Sequence, residues 1–134
     1  LFGQAILIDC HSMPHEAIDS LCRGRREKPE IVLGDRFGAS AGGEIVDEIE
    51  LAFRDEGFKV GRNTPFAGAF TTQHYGRPSR GQHAIQIEID RALYMNEAKL
   101  VPNGNFTAMR ESLDRVIARI AEVGRPQDLP LAAE

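Results

Sequence analysis

Cysteine is scarce: Cys10 and Cys22 are the only two in 134 residues, too few for a disulfide framework. A reduced, packed thiol is expected at Cys10, which lies in the first predicted strand, and a cytosolic setting follows from that usage. Excess basic charge is also missing, since 16 Lys and Arg against 20 Asp and Glu leave a formal net charge of −4. The basic residues are scattered except over Arg23-Gly24-Arg25-Arg26-Glu27-Lys28, which reads as a solvated loop and gives no footprint for nucleic acid. No apolar run approaches the ~20 residues that cross a bilayer, and no signal-peptide pattern opens the chain. Internal repeats and low-complexity tracts are absent. What these absences leave is the ordinary composition of a soluble domain, 42% hydrophobic and 27% charged. The length fits a single domain over residues 1–134.

The chain begins Leu1-Phe2-Gly3-Gln4 and runs almost at once into Ala5-Ile6-Leu7-Ile8, so it is expected to be a piece of something longer. That apolar run, rich in isoleucine and ending in Asp9-Cys10-His11-Ser12-Met13-Pro14, predicts a buried strand. A short helix over His15–Cys22 follows, then a second strand within Glu30–Asp35. The spacing of Ile45, Ile49, Ala52 and Phe53, with Val46 and Leu51 beside them, predicts a helix over Gly42–Glu56 with Gly57 closing it. Phe58-Lys59-Val60 leads into a third extended segment ending at Arg62-Asn63-Thr64-Pro65, where the residue before proline should be extended. Gly68 to Gly81 reads as a loop, with room for a hairpin around Ala69–Tyr75. His83–Asp90 is the clearest strand, with Ile85, Ile87 and Ile89 on one face. A helix over Phe106–Val123 carries Phe106, Met109, Leu113, Val116, Ile117 and Ile120 at core-facing spacing, and Pro126–Glu134 is a tail. Strands alternating with helices predict an α/β layer fold around a mixed, mostly parallel sheet.

Polar clusters punctuate these elements. Period-2 alternation places Asp9 and His11 on one face and Cys10 on the other. His11 is a candidate metal ligand or general base, with Asp9 to orient it, at the carboxyl end of a strand where open α/β sheets place their crevice. The alternative is a strand-end histidine bonded to the backbone. In the clearest strand, Gln86, Glu88 and Asp90 face away from the isoleucines. A half-solvated face is the commoner explanation of that pattern; if the face lines a cleft, Glu88 suits a general base. Arg62-Asn63 can grip a carboxylate, the guanidinium bidentately and the amide on a second oxygen, or can be an ordinary surface arginine and a turn asparagine. Asp35-Arg36 reads as an exposed local ion pair.

Other chemistries lack their patterns. Pro14 breaks any helical zinc pair between His11 and His15, and Gly38–Gly43 fits neither a P-loop nor a dinucleotide fingerprint. Ser12 is not in a nucleophile elbow, and Cys10 lacks an activating cation.

In order along the chain stand Leu7-Ile8-Asp9-Cys10-His11-Ser12-Met13-Pro14, Leu33-Gly34-Asp35-Arg36-Phe37-Gly38, Gly61-Arg62-Asn63-Thr64-Pro65-Phe66-Ala67-Gly68 and Ala84-Ile85-Gln86-Ile87-Glu88-Ile89-Asp90-Arg91-Ala92-Leu93-Tyr94-Met95. With these motifs the chain resembles the N-formylglutamate amidohydrolase (N-formylglutamate deformylase) family over roughly residues 3 to 100. The resemblance implies a phosphorylase/hydrolase-like fold shared with zinc carboxypeptidases, and zinc-dependent hydrolysis of N-formyl-L-glutamate to glutamate and formate. It implies that His11 is a zinc ligand, Glu88 the general base, and Arg62 with Asn63 the grip on a substrate carboxylate; Asp9 would orient His11. The family's amino-terminal half, with its Pro-His-Ser-Gly-like segment and remaining zinc ligands, is missing. The chain is therefore expected to be the carboxyl-terminal part of a catalytic domain, to dimerise or to associate with that half, and to contact neither nucleic acid nor membrane. The alternative is a truncated homologue that binds a small acidic metabolite without hydrolysing it.

Overall fold

The computed structural model describes residues 3–24 and 27–125. Leu1 and Phe2, Arg25 and Arg26 of the basic run, and the expected tail 126–134 lie outside the described residues. Strands β1 (Ala5–Met13), β2 (Ile31–Gly34), β3 (Val60–Arg62) and β4 (Gln82–Asp90) form a four-stranded sheet in the order β1-β4-β2-β3. β1 runs parallel to β4, and β2 parallel to β3; the central β2–β4 pair is antiparallel. The sheet is mixed and mostly parallel, as expected. A short β5 (Met95–Asn96) and β6 (Val101–Pro102) make a separate ribbon.

Helices cover both faces. On one, α2 (Gly43–Asp55) and α4 (Phe106–Val123) bury Ile45, Val46, Ile49, Phe53, Met109 and Val116 against Ile31, Leu33, Ile85 and Ile87. On the other, α1 (His15–Leu21) contributes Ile18, which packs with Met13, Val32 and Phe66, while α3 (Phe70–Tyr75) lies over β4. Coverage on both sides is why all of β2 is apolar and buried, as interior strands require. No described helix is long and apolar enough to cross a membrane.

Three expectations change here. The segment 69–75 is helical, not a hairpin: Gln73 N–H donates to the Ala69 carbonyl, and the Thr72 hydroxyl turns back to the same carbonyl. Phe106 and Ile117 of the predicted core stripe are exposed: only Met109 and Val116 of α4 are fully buried, with Leu113 and Ile120 packed at the margin. Cys10 is exposed and Cys22 is the buried thiol. The reason is topology: β1 is an edge strand, so Cys10 has sheet on one side only. The sulfur's partial desolvation, followed by the charge of Asp9, raises the Cys10 pKa above its ordinary value, which disfavours the thiolate.

The end of β4 is tied to α1 by His15, whose Nδ1 lies 2.8 Å from Asp90 Oδ2. Asp90 is buried and also accepts from Ala92 N–H, capping the single turn Arg91–Leu93. Asp19 and Glu97 face the same ring region, the latter accepting from His15 N–H. The hydrogen bond to Asp90 raises the His15 pKa against a smaller desolvation, with Asp90, Asp19 and Glu97 adding charge. A raised histidine pKa stabilises the fold fully below the ordinary value of 6.5, and the gain is lost as pH rises through the folded-state value. His15→Ala should therefore lower the urea midpoint at pH 6 and leave it nearly unchanged at pH 9. The half-exposed ring keeps the effect small; equal losses at both pH values would remove the charge from the account.

Candidate active site

Strand register builds the site. His11 on β1 stands opposite Glu88 on β4, and Asp9 opposite Gln86, so all four side chains share one face. On the far side of β4, Val32 of β2 is the partner of Glu88 and shares that face as well. His11 Nε2 lies 3.0 Å from Asp9 Oδ1, and its Nδ1 lies 3.9 Å from Glu88 Oε1. The predicted pairing of Asp9 with His11 is present.

Glu88 does not sit on a solvated face. It is 7% exposed, and Gln86 beside it 4%, because α1, α3 and the 63–69 loop close over that side of the sheet. Gln86 Nε2 donates to Glu88 Oε1 at 2.8 Å, while Gln86 Oε1 accepts from Ala69 N–H at 3.0 Å. The loop thus fixes the amide, and the amide fixes the carboxylate. Burial raises the Glu88 pKa; His11, the Gln86 hydrogen bond and Arg91 oppose the rise, and Asp9 adds to it. A buried carboxylate with a raised pKa beside an imidazole is a fitting proton acceptor near neutral pH.

Arg62 is not part of this cluster. Its register partner is Leu33, which places it on the opposite face, over α2. There Nε donates to Glu50 at 2.5 Å and an Nη to Asp47 at 2.6 Å. Burial works against the charge, but these two carboxylates prevail and raise the pKa, so the guanidinium is held as a structural cation. Asn63, one residue before Thr64-Pro65, is left-handed with φ of 58°. That turn lets its carbonyl oxygen accept from Asp35 N–H and Phe37 N–H while its amide donates to Asp35 Oδ1 at 2.6 Å. Asp35 is consequently buried with Asn63 as its partner, in place of the exposed Asp35-Arg36 pair. Arg62 and Asn63 brace the frame; neither reaches Glu88 among the described contacts.

Sequence reasoning gave little weight to His83 and His15. His83 is buried and its Nδ1 accepts from Gly42 N–H, tying β4 to the start of α2. A cleft of about 370 Å³ beside the outer edge of β1 is lined by Cys10, His11 and Ser12 together with Phe106, Met109 and Arg110. Glu88 does not line it, so the chemistry at the strand ends, not this cleft, defines the site.

Fold and site together define an α/β protein with an acid–base cluster at the carboxyl ends of two parallel strands. The chain belongs to the N-formylglutamate amidohydrolase family, whose model matches residues 1–95. It is 35% identical over 97 residues to an N-formylglutamate deformylase of Pseudomonas aeruginosa, covering 72% of this chain and 35% of that protein. A Pseudomonas putida N-formylglutamate deformylase is 32% identical over 99 residues, covering 73% of this chain and 36% of its own length. The chain therefore spans about a third of the length of these curated relatives. The crystal structure of N-formylglutamate amidohydrolase from Ralstonia eutropha JMP134 superposes with a TM-score of 0.85 at 35% identity, over 92% of this chain and 45% of that one.

Proposed function

We propose that this chain carries the general-base side of a hydrolase for N-formyl amino acids, with N-formyl-L-glutamate as substrate and glutamate and formate as products. The names of its relatives support the substrate. The observation that carries the chemistry is the buried Glu88, its pKa raised and His11 beside it.

Glu88 would take a proton from water as the oxygen adds to the formyl carbon. The same proton would then pass to the amide nitrogen as the C–N bond breaks, leaving formate and the free amine. Asp9 would hold the His11 ring, whose cationic form favours an ionised Glu88. Of the zinc ligands that the resemblance implies, His11 is the one this chain would supply, the others being expected outside it. Among the described residues no group of three His, Cys, Asp or Glu is placed to hold a metal, whereas a catalytic zinc takes three protein ligands. No step above is therefore routed through a metal.

The test is formate release from N-formyl-L-glutamate by the purified chain, with and without added Zn²⁺, alongside its metal content by elemental analysis. Formate release under either condition is expected. Tight binding of the substrate with no formate in either would replace this reading by a binding-only homologue.

A further inference from the structure

We propose that the outer edge of β1, from Ile6 to Cys10, is an interface that takes an added β-strand from a polypeptide equivalent to the remainder of the Ralstonia eutropha amidohydrolase. The parallel ladder with β4 fixes which way each backbone group of β1 points. Ala5 N–H donates to the Gly81 carbonyl at 2.8 Å, so Ala5 and every second residue after it turn their N–H and C=O toward β4. Ile6, Ile8, Cys10 and Ser12 turn theirs outward. Among the described residues only Arg91 meets that outward row: its Nη2 donates to the Ser12 carbonyl at 3.2 Å and closes the edge at that end.

The opposite edge of the sheet is protected where β1 is open. β3 is three residues long, its Val60 carbonyl accepts from Arg54 Nη2 at 3.4 Å, and its Arg62 is engaged by two acids. β1 is nine residues long, has no proline or lysine, and carries Asp9 as the one charge between Ala5 and Cys10. Apolar surface continues from it. Leu7 is exposed, the cleft of about 370 Å³ beside Cys10 is walled by Phe106, Met109 and Leu113, and Ile117 is exposed further along α4. Unpaired peptide groups flanked by apolar side chains suit strand addition, in which the backbone supplies affinity and the side chains specificity. The extent of the match says what fills the edge. This chain superposes over 92% of its own length but 45% of the R. eutropha chain, so more than half of that protein has no counterpart here. That remainder needs a seat on the shared part, and β1 offers it a long apolar edge.

The test co-expresses this chain with that remainder of the R. eutropha amidohydrolase as a separate polypeptide and follows amide hydrogen exchange in the purified complex. An equimolar complex is expected, in which the amides of Ile6, Ile8 and Cys10 exchange at least about 100-fold more slowly than in the chain alone. Leu7, Asp9 and His11, already bonded to β4, are the internal comparison and should slow less. Cys10→Pro removes an outward N–H at an exposed position of an edge strand, where proline is tolerated, and should weaken the complex by about 10-fold or more. The urea midpoint of the free chain should change little. If that variant does not fold, the exchange pattern of the wild type decides alone. Failure of the two polypeptides to co-purify overturns the proposal, as does a complex in which the three outward amides stay as fast as in the free chain. Slow exchange of the same three amides in the chain alone, together with a doubled mass, gives the edge to a second copy and overturns it equally.

Discussion

Glu88→Gln is expected to reduce turnover of N-formyl-L-glutamate by at least about 100-fold, the lower end of what a positioned proton acceptor supplies. Glutamine keeps the volume and can keep a hydrogen bond with Gln86, so the loss would report the missing base and not a cavity. Two further readouts separate chemistry from structure. In the wild type, activity should fall as pH falls through the Glu88 pKa, which burial places above the ordinary 4.5; this acid limb should vanish in the residual activity of the variant. Stability should move the other way. A carboxyl whose folded pKa is raised binds its proton more tightly folded than unfolded, so the fold loses stability as pH rises from 4.5 through the folded value. Removing the ionisable group therefore makes Glu88→Gln the more stable protein at pH 7, with the advantage shrinking toward pH 4. A variant that keeps full turnover and the acid limb would take Glu88 out of the mechanism. One less stable at pH 7 would show that the carboxylate is there to hold the fold.

Periodicity located most of the frame. The isoleucines of β4, the stripe of α2 and the unbroken apolar run of β2 each state a face or a burial directly, and the sheet follows from them. What periodicity does not state is which strand lies at an edge. Alternation sets Cys10 opposite Asp9 and His11, on the face of its register partner Ile87, yet it is exposed because β1 has a neighbour on one flank only. Nor does alternation say whether a polar face meets water or a helix. Glu88 looks half-solvated along β4 alone, and it is buried because α1, α3 and the 63–69 loop, distant in sequence, cross above it.

The same limit applied to Arg62. As a motif, Arg-Asn before Thr-Pro suits an anion grip; in the fold, parity sets Arg62 beside Leu33 and points it at two acids on α2. Charge partners on a neighbouring helix are a three-dimensional fact, and nothing in the spacing of Asp47, Glu50 and Arg62 announces them. Alternation within one strand states that Asp9 and His11 share a face; that Glu88 joins them depends on the pairing and register of β1 with β4, which no spacing announces, and only the family resemblance puts it in the same site. Faces within a strand were readable; convergence through strand pairing and layer packing was not.

Layer packing also sets the second large effect, expected at Gly34. This residue ends β2 and pairs with Gln86, so its missing side chain would point to the face that holds Glu88. A Cβ there would stand 2.6 Å from Gly68 N and 2.7 Å from the Ala67 carbonyl carbon. Both are backbone atoms, which no change of rotamer can move aside. The Arg36 N–H to Ala67 carbonyl bond of 2.8 Å holds the loop down on this spot. Gly34→Ala should therefore lift residues 67–69 from the sheet and cost about 1–3 kcal/mol, the usual range for overpacking a tight contact. Lifting the loop also separates Ala69 N–H from Gln86, the hydrogen bond that orients the amide on Glu88. Activity should accordingly fall even at temperatures where the variant is fully folded. Gly104→Ala is the control, since nothing lies within 4 Å of a Cβ at that position. Urea unfolding of the two variants decides the matter: equal midpoints would mean that the loop yields freely, and that its grip on Gln86 contributes nothing to holding Glu88 in place.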